Sequence, residues 1–153
     1  SWFEGALPPD GQVVLTEFDA EELAMAQGFL AEAGFGDRVT FEHGDAFDAI
    51  ERYDGPFDVV LVDCEKYRYP EAIEPVRERL APGGLLIADN VLAAGYGPED
   101  VATGFRREPS GEHAGSVAGV VKYLAQLRSD PAFETTIVPL GEGLAVSHFT
   151  GTE

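Results

Sequence analysis

This 153-residue chain has few basic residues, one cysteine and no long apolar run, and each scarcity excludes a class of protein. Ten Lys and Arg residues against 28 Asp and Glu leave a formal charge of -18, which argues against nucleic-acid and anionic-membrane binding because phosphate contacts need a basic face. A single cysteine excludes a disulfide framework and a multi-thiolate metal site, and it fits a reducing compartment. No apolar run approaches the roughly 20 residues of a membrane span. We therefore expect a soluble, cytoplasmic protein that binds neither nucleic acid nor membrane.

The composition that remains is that of an ordinary globular protein, 44% hydrophobic and 25% charged, at a length typical of one domain. No internal repeat or low-complexity linker interrupts the chain, so we predict a single domain over residues 1–153. The sequence has no initiator Met and begins in the middle of a pattern, at Ser1-Trp2-Phe3. We therefore expect a further segment upstream of Ser1.

Short apolar runs alternate with helical patterns, which predicts an α/β fold with a mostly parallel sheet that ends in an antiparallel hairpin. The predicted strands are 13–16, 38–42, 57–63 and 85–89, followed by a hairpin of 133–140 and 144–149. The predicted helices are 19–34, 45–53, 70–80 and 116–127. Pro82-Gly83-Gly84 is expected to form a turn, and residues 91–114 a long loop. The run at 57–63 is apolar enough for burial on both faces.

Acidic residues follow the predicted strands with unusual regularity, at Glu17, Asp45, Asp63 and Asp89-Asn90. In parallel α/β sheets, ligands bind at the carboxyl ends of the strands. Asp63, Asp89 and Asn90 together offer two carboxylates and one amide oxygen, a set suited to Mg²⁺ or Ca²⁺. Asp and Asn also cap turns routinely, and the sequence leaves both interpretations open.

Lys66 lies three residues after Asp63, at the mouth of this predicted site. A lysine there could, as the neutral amine, take a proton from a metal-bound hydroxyl or, as the ammonium, stabilise the oxyanion that forms. The alternative is a solvated loop lysine that pairs with Glu65.

Glu17 and the segment Gly44-Asp45-Ala46 each close a predicted strand. An acid in the position of Glu17 commonly hydrogen-bonds the ribose hydroxyls of an adenosine cofactor, although it could also lie near the next helix N-terminus. The small residues of the second segment would let a flat base approach the backbone, and the same segment reads equally well as a helix start.

The chain resembles the class I S-adenosylmethionine-dependent O-methyltransferases, within them the divalent-metal-dependent group that includes catechol and caffeoyl-CoA O-methyltransferases. The motifs that carry the resemblance are residues 15–19, 57–69, 82–91 and the closing hairpin 133–149. The specific part is Asp63-x-x-Lys66 followed by Asp89-Asn90. The resemblance covers nearly the whole chain except about 95–114, which we expect to form a loop that faces the methyl acceptor.

The resemblance implies a Rossmann-like methyltransferase fold and metal-dependent transfer of a methyl group from S-adenosylmethionine to a hydroxyl of a small catechol-like acceptor. It implies that Lys66 is the catalytic residue, as base or oxyanion partner. The implied metal ligands, for Mg²⁺ or Ca²⁺, are Asp63, Asp89 and Asn90. The implied cofactor contacts are Glu17 at the ribose, Ala46 and Glu65 near the adenine, and Asp45 and Asp63 in the same site.

The family's first, central strand and its Gly-rich loop would precede Ser1, with residues 1–7 as the remainder of the first helix. A catalytically dead fragment or interaction domain of the same fold therefore stays an alternative, and a homodimer stays open. An NAD-dependent oxidoreductase would also use Glu17, but it needs neither the Asp89-Asn90 pair nor Lys66. A phosphoacceptor receiver domain has strand-end acids and one lysine, but in a different order.

Overall fold

The computed structural model describes residues 7–92 and 114–151. The strands in these residues are β1 Val13–Glu17, β2 Val39–His43, β3 Phe57–Val62, β4 Leu80–Ala88, β5 Phe133–Val138 and β6 Leu144–Phe149. The α-helices are α1 Ala20–Glu32, α2 Ala46–Ile50, α3 Ile73–Arg77 and α4 Ala114–Ser129, and two 3₁₀ helices span Gly36–Arg38 and Lys66–Ala72. No helix in the described part of the chain is long and apolar enough to cross a membrane.

The chain divides into two compact units, Ser1–Tyr53 and Asp54–Glu153, and the single domain expected from the sequence stays a prediction. In the first unit, β1 and β2 pair in parallel. Helix α1 begins after Asp19, whose carboxylate accepts hydrogen bonds from the backbone N–H groups of Glu21 at 2.8 Å and Glu22 at 3.1 Å. The helix buries Leu23 and Leu30, which lie seven residues, or about two turns, apart on the same face.

The second unit is a four-stranded sheet in the order β3-β4-β6-β5. Strands β3 and β4 are parallel, whereas β6 runs antiparallel to both β4 and β5, which confirms the α/β fold and its closing hairpin. Helix α4 buries an apolar stripe at helical spacing that includes Val120, Tyr123 and Leu127. The largest fully buried side chains are those of Tyr69, Leu86, Val91, Tyr123, Leu127 and Ser147.

The prediction of one helix over 70–80 is wrong. The chain forms a 3₁₀ helix over Lys66–Ala72 and only then the short α3. Pro75 would have stood in the interior of the predicted helix, where it lacks an N–H and its ring clashes with the carbonyl four residues earlier. A helix that begins at Ile73 places Pro75 in the first turn, where proline is tolerated.

The turn predicted at Pro82-Gly83-Gly84 is not a connection before the strand, because β4 begins at Leu80 and runs through it. Leu80 pairs with Phe57, and the next paired residue on β4 is Leu85, so the intervening residues form a bulge. Gly83 has a φ of 88°, and a Cβ on Gly84 would lie 2.8 Å from a backbone oxygen. Glycine is what allows the bulge within an otherwise apolar strand.

Strand β3 is not buried on both faces as predicted. Val59 and Leu61, which lie on one face, are 43% and 46% exposed, whereas Val62 on the other face is buried. The strand is the edge of the four-stranded sheet within the described residues, so its apolar composition does not translate into burial. The predicted loop over 91–114 falls largely outside the described residues.

Candidate functional site

The carboxyl edge of the first unit's sheet carries Glu17 and Asp45. Gly44, which follows β2, donates its N–H to the carbonyl of Glu17 at 2.9 Å, so the two strand ends lie side by side. Oε1 of Glu17 accepts from the backbone N–H of Asp19 at 2.9 Å, and Asp45 is the N-cap of α2, accepting from the N–H of Phe47 at 2.9 Å. The structure thus brings Glu17, Asp45 and Ala46 to one edge, and both carboxylates also stabilise the turns that follow.

In the second unit, Lys66 makes hydrogen bonds to residues that follow β3 and β4. Its Nζ donates to Oδ1 of Asp63 at 3.0 Å, to Oδ1 of Asn90 at 2.9 Å and to the hydroxyl of Tyr69 at 2.7 Å. The carboxylate partner is therefore Asp63, not Glu65 as in the solvated-loop interpretation. The Lys66 side chain is only 22% exposed. We call Asp63, Lys66, Tyr69, Asp89 and Asn90 the Lys66 cluster.

Asp89 and Asn90 enter this cluster through a left-handed backbone conformation. Asn90 has a φ of 54°, which asparagine tolerates better than most residues, and its N–H donates to Oδ1 of Asp89 at 2.6 Å. The Asn90 side chain is held from two sides: Oδ1 accepts from Lys66, and Nδ2 donates to Oε2 of Glu142 at 2.9 Å. Glu142 lies in the turn between β5 and β6.

Tyr69 is fully buried and connects the two strand ends. Its hydroxyl accepts from Lys66 and donates to the backbone carbonyl of Asp89 at 2.8 Å. Burial raises the pKa of Tyr69 far above its usual value, and the neighbouring carboxylate of Asp63 raises it further. The group therefore stays a neutral hydroxyl that can donate and accept at the same time.

Sequence reasoning missed Tyr69 and Glu142 as members of the site. Tyr69 could have been found, because it lies three residues after Lys66, and residues at that spacing share a face of a 3₁₀ helix. Glu142 lies 52 residues from Asn90, and no pattern in the sequence connects them.

Cys64 and Glu65 also lie at this edge, and of the two only Glu65 is a predicted site residue. Glu65 is exposed, and its carbonyl accepts from the N–H of Arg68 at 2.8 Å and from the thiol of Cys64 at 3.7 Å. Burial raises the pKa of the Cys64 thiol, which disfavours the nucleophilic thiolate. The cofactor roles of Glu17, Asp45, Ala46, Asp63 and Glu65 stay predictions.

Helix α4 sets the position of the segment that carries Lys66. A Cβ on Gly119 would lie 2.3 Å from the carbonyl oxygen of Lys66 and 2.4 Å from Cα of Tyr67, so the helix backbone lies directly against this segment. One turn further on, the rings of Tyr123 and Tyr69 pack edge to face, with centroids 5.6 Å apart. The lysine is thereby held by packing as well as by its hydrogen bonds.

The residues of the Lys66 cluster fit a hard divalent cation. Two carboxylates and an amide oxygen are ligands that Mg²⁺ and Ca²⁺ prefer. A positive group, the Lys66 ammonium, already lies between oxygens of Asp63 and Asn90, so the arrangement accepts positive charge. No group of three or more His, Cys, Asp or Glu side chains suited to a metal occurs in residues 7–92 and 114–151, so an ion here depends on the Asn90 amide.

Comparison with known sequences gives one family and a consistent set of relatives. The family model for O-methyltransferases matches residues 3–148. A catechol O-methyltransferase from Niastella koreensis is 30% identical over 143 residues, which are 91% of this chain and 60% of that protein. A caffeoyl-CoA O-methyltransferase from Petroselinum crispum is 26% identical over 147 residues, which are 92% of this chain and 59% of that protein. The chain thus spans less than two thirds of the length of these relatives.

Comparison with solved structures confirms the Rossmann-like fold. The O-methyltransferase TomG from Streptomyces achromogenes, solved in complex with SAM, superimposes with a TM-score of 0.83 at 30% identity, over 98% of this chain and 67% of that one. An O-methyltransferase from Bacillus cereus in complex with SAH gives a TM-score of 0.81 at 23% identity, over 97% and 67% of the two chains. The second likeness concerns the fold alone.

Proposed function

This chain belongs to the O-methyltransferase family, and from that premise we propose that the protein transfers a methyl group from S-adenosylmethionine to a hydroxyl of a small catechol-like acceptor with the help of a divalent metal ion. The observation that carries the proposal is the Lys66 cluster, in which one ammonium contacts both a strand-end carboxylate and a strand-end amide oxygen. The acceptor class is supported by relatives named for catechol and caffeoyl-CoA, which both carry adjacent aromatic hydroxyls.

The metal part of the proposal assigns Asp63, Asp89 and Asn90 as the ligands of Mg²⁺ or Ca²⁺. The ion would supply a Lewis acid that lowers the pKa of an acceptor hydroxyl. The chain contributes a rigid frame for these ligands, because β3 and β4 are paired up to the residues before Asp63 and Asp89. A third carboxylate, Glu142, adds negative charge next to the amide of Asn90.

Lys66 is proposed as the residue that handles the proton of the acceptor hydroxyl. An ammonium has three donors, and those of Lys66 already contact Asp63, Tyr69 and Asn90. To take the proton of an acceptor hydroxyl, Lys66 must be the neutral amine, which has two N–H donors and one lone pair, so one of these three partners must be given up. Asp63 is the one to be replaced, since its side chain is 56% exposed while Tyr69 is fully buried. Tyr69 then keeps the amine in place during proton transfer.

The cofactor part of the proposal rests on the first unit and on the segment after β3. We assign Glu17 to the ribose hydroxyls, Ala46 and Glu65 to the adenine, and Asp45 and Asp63 to the same site. Acceptor recognition is assigned to residues 95–114, nearly all of which lie outside the described residues. We also infer a cytoplasmic protein, supported by the single cysteine Cys64, which is a free thiol.

Methyl transfer by the whole protein, with labelled S-adenosylmethionine and a catechol in the presence of Mg²⁺, tests the proposal. We expect turnover that is lost with EDTA and lowered about 10²-fold or more in Asp63→Asn, since the metal supplies several kcal/mol of charge stabilisation. The matched control is Asp58→Asn, an exposed aspartate on β3 outside the cluster, which should retain activity. Full turnover in EDTA would show that the reaction needs no metal ion. A folded protein without turnover would favour the alternative of a catalytically dead interaction domain.

A further inference from the structure

The turn between β5 and β6 holds the segment that follows β4. Three consecutive residues of that segment donate hydrogen bonds to two residues of the turn: Nδ2 of Asn90 to Oε2 of Glu142 at 2.9 Å, the N–H of Val91 to the carbonyl of Gly143 at 3.0 Å, and the N–H of Leu92 to the carbonyl of Glu142 at 2.8 Å. The first of these bonds involves two side chains, and the other two fix the backbone around it. The carboxylate of Glu142 therefore has a defined position relative to the amide of Asn90.

Close packing also holds the β5–β6 turn against the segment that follows β4. Gly143 has a φ of 86°, and a Cβ there would lie 2.5 Å from Cγ of Leu92, so the turn backbone lies directly against that side chain. Val91, between the two contacts, is only 1% exposed. The turn is thus anchored by buried neighbours although Glu142 itself is exposed.

The partners of Asn90 determine which way its amide points. The oxygen and nitrogen of a side-chain amide occupy almost equivalent positions, and their assignment follows from the groups that face them. Lys66 can only donate and an ionised Glu142 can only accept, so one orientation satisfies both. A half-turn of the amide would place its NH₂ against the ammonium and its oxygen against the carboxylate.

We propose that Glu142 is a positioning residue, which fixes the Asn90 amide so that Oδ1 is presented to the cation site between Asp63 and Asp89. The inference rests on the proposed metal-dependent function. Lys66 favours the same orientation, but an ion bound at Oδ1 would compete for the bond that Lys66 makes to this oxygen. Glu142 acts from the opposite side of the amide and keeps the oxygen presented when Lys66 changes partners. Partners that orient a metal ligand in this way typically contribute 10–100-fold in metal affinity.

Mn²⁺ binding to the whole protein, followed by electron paramagnetic resonance or calorimetry without substrate, tests the inference. Glu142→Ala should weaken Mn²⁺ binding by about 10–100-fold. Glu142→Gln removes the same charge but keeps an acceptor for Nδ2, so its affinity should stay closer to that of the wild type than to that of Glu142→Ala. The matched control, Glu134→Ala, removes another exposed acid from the same hairpin and should bind Mn²⁺ normally. Melting temperatures of all variants show which of them are folded.

A double-mutant cycle separates orientation of the amide from other effects. In Asn90→Asp the side chain presents an oxygen in either orientation, so adding Glu142→Ala should no longer weaken Mn²⁺ binding. Equal weakening by Glu142→Ala and Glu142→Gln, or the same loss in the Asn90→Asp background, would show a charge effect and overturn the inference. Unchanged binding in Glu142→Ala would overturn it while the metal site stands. A wild-type protein that binds no Mn²⁺ would overturn the metal-dependent function itself.

Discussion

Nζ of Lys66 lies 2.9 Å from Oδ1 of Asn90, although 24 residues separate the two in the sequence. The contact exists because β3 and β4 are parallel neighbours and both chains leave the sheet at the same edge. Asn90 turns back through a left-handed conformation, and Gly119 allows α4 to hold the Lys66 segment from outside. Two strands, one helix and one turn thus combine to place the Lys66 ammonium beside an amide oxygen.

Replacement of Lys66 separates its structural role from its proposed chemical role. Because Lys66 makes three hydrogen bonds and is largely shielded, Lys66→Ala should lower the free energy of unfolding by about 1–2 kcal/mol, more than a rim lysine would. Turnover should fall by about 10²–10⁴-fold. Lys66→Arg can keep the ion pair with Asp63 but stays protonated, so it should recover stability without turnover. Denaturant unfolding and kcat measure the two effects, and normal turnover in Lys66→Ala would exclude a catalytic role.

The close contact at Gly119 predicts that a single added methyl group will strongly lower stability. Gly119→Ala would force a Cβ into the backbone of the Lys66 segment, so we expect a loss of about 1–3 kcal/mol in unfolding free energy and reduced turnover. Gly115→Ala is the matched control in the same helix, since a Cβ there meets nothing within 4 Å, and it should leave stability unchanged or raise it by up to ~1 kcal/mol. Similar stability of the two variants would show that the segment and α4 separate easily.

The strand-end acids could be predicted from the sequence because their position depends only on two apolar runs and on the parallel geometry of an α/β sheet. Asp63 and Asp89-Asn90 follow β3 and β4 as expected. The contact of Glu142 with Asn90 could not be predicted, since it requires the turn of the hairpin to rest on Leu92. The exposure of Val59 also escaped prediction, because an apolar strand has the same sequence at the edge of a sheet as in its centre.

Tyr123 offers a test of stability against pH. Its hydroxyl is buried and has no hydrogen-bond partner within the described part of the chain, and burial raises its pKa above the usual value of 10. A raised pKa means that the stabilising contribution is complete below pH 10 and is lost as the pH rises and the unfolded chain ionises. Tyr123→Phe should therefore keep or increase stability at pH 7, by up to ~1 kcal/mol, and lose less of it above pH 10.

Urea unfolding of the wild type and of Tyr123→Phe at pH 7 and at pH 10.5 makes that comparison. Tyr69 keeps its own raised pKa in both proteins, so some alkaline loss remains in the variant. A variant that is strongly destabilised at pH 7 would mean that the hydroxyl has a partner, against the geometry described above.

The last prediction concerns Glu17 and cofactor affinity. One of its carboxylate oxygens accepts from the N–H of Asp19, the N-cap of α1, so the residue is held in place at the strand end to which we assign the ribose. Loss of a hydrogen bond to a charged group costs about 1.5–3 kcal/mol, so Glu17→Ala should weaken binding of S-adenosylmethionine to the whole protein by roughly 10–100-fold. Glu21→Ala is the control, because it removes an exposed acid from the first turn of the same helix and should leave affinity unchanged. Calorimetry measures both, and circular dichroism shows whether α1 still forms. Equal affinities for the wild type and a folded Glu17→Ala would remove Glu17 from the cofactor site, whereas equal losses in both variants would point to net charge rather than to a ribose contact.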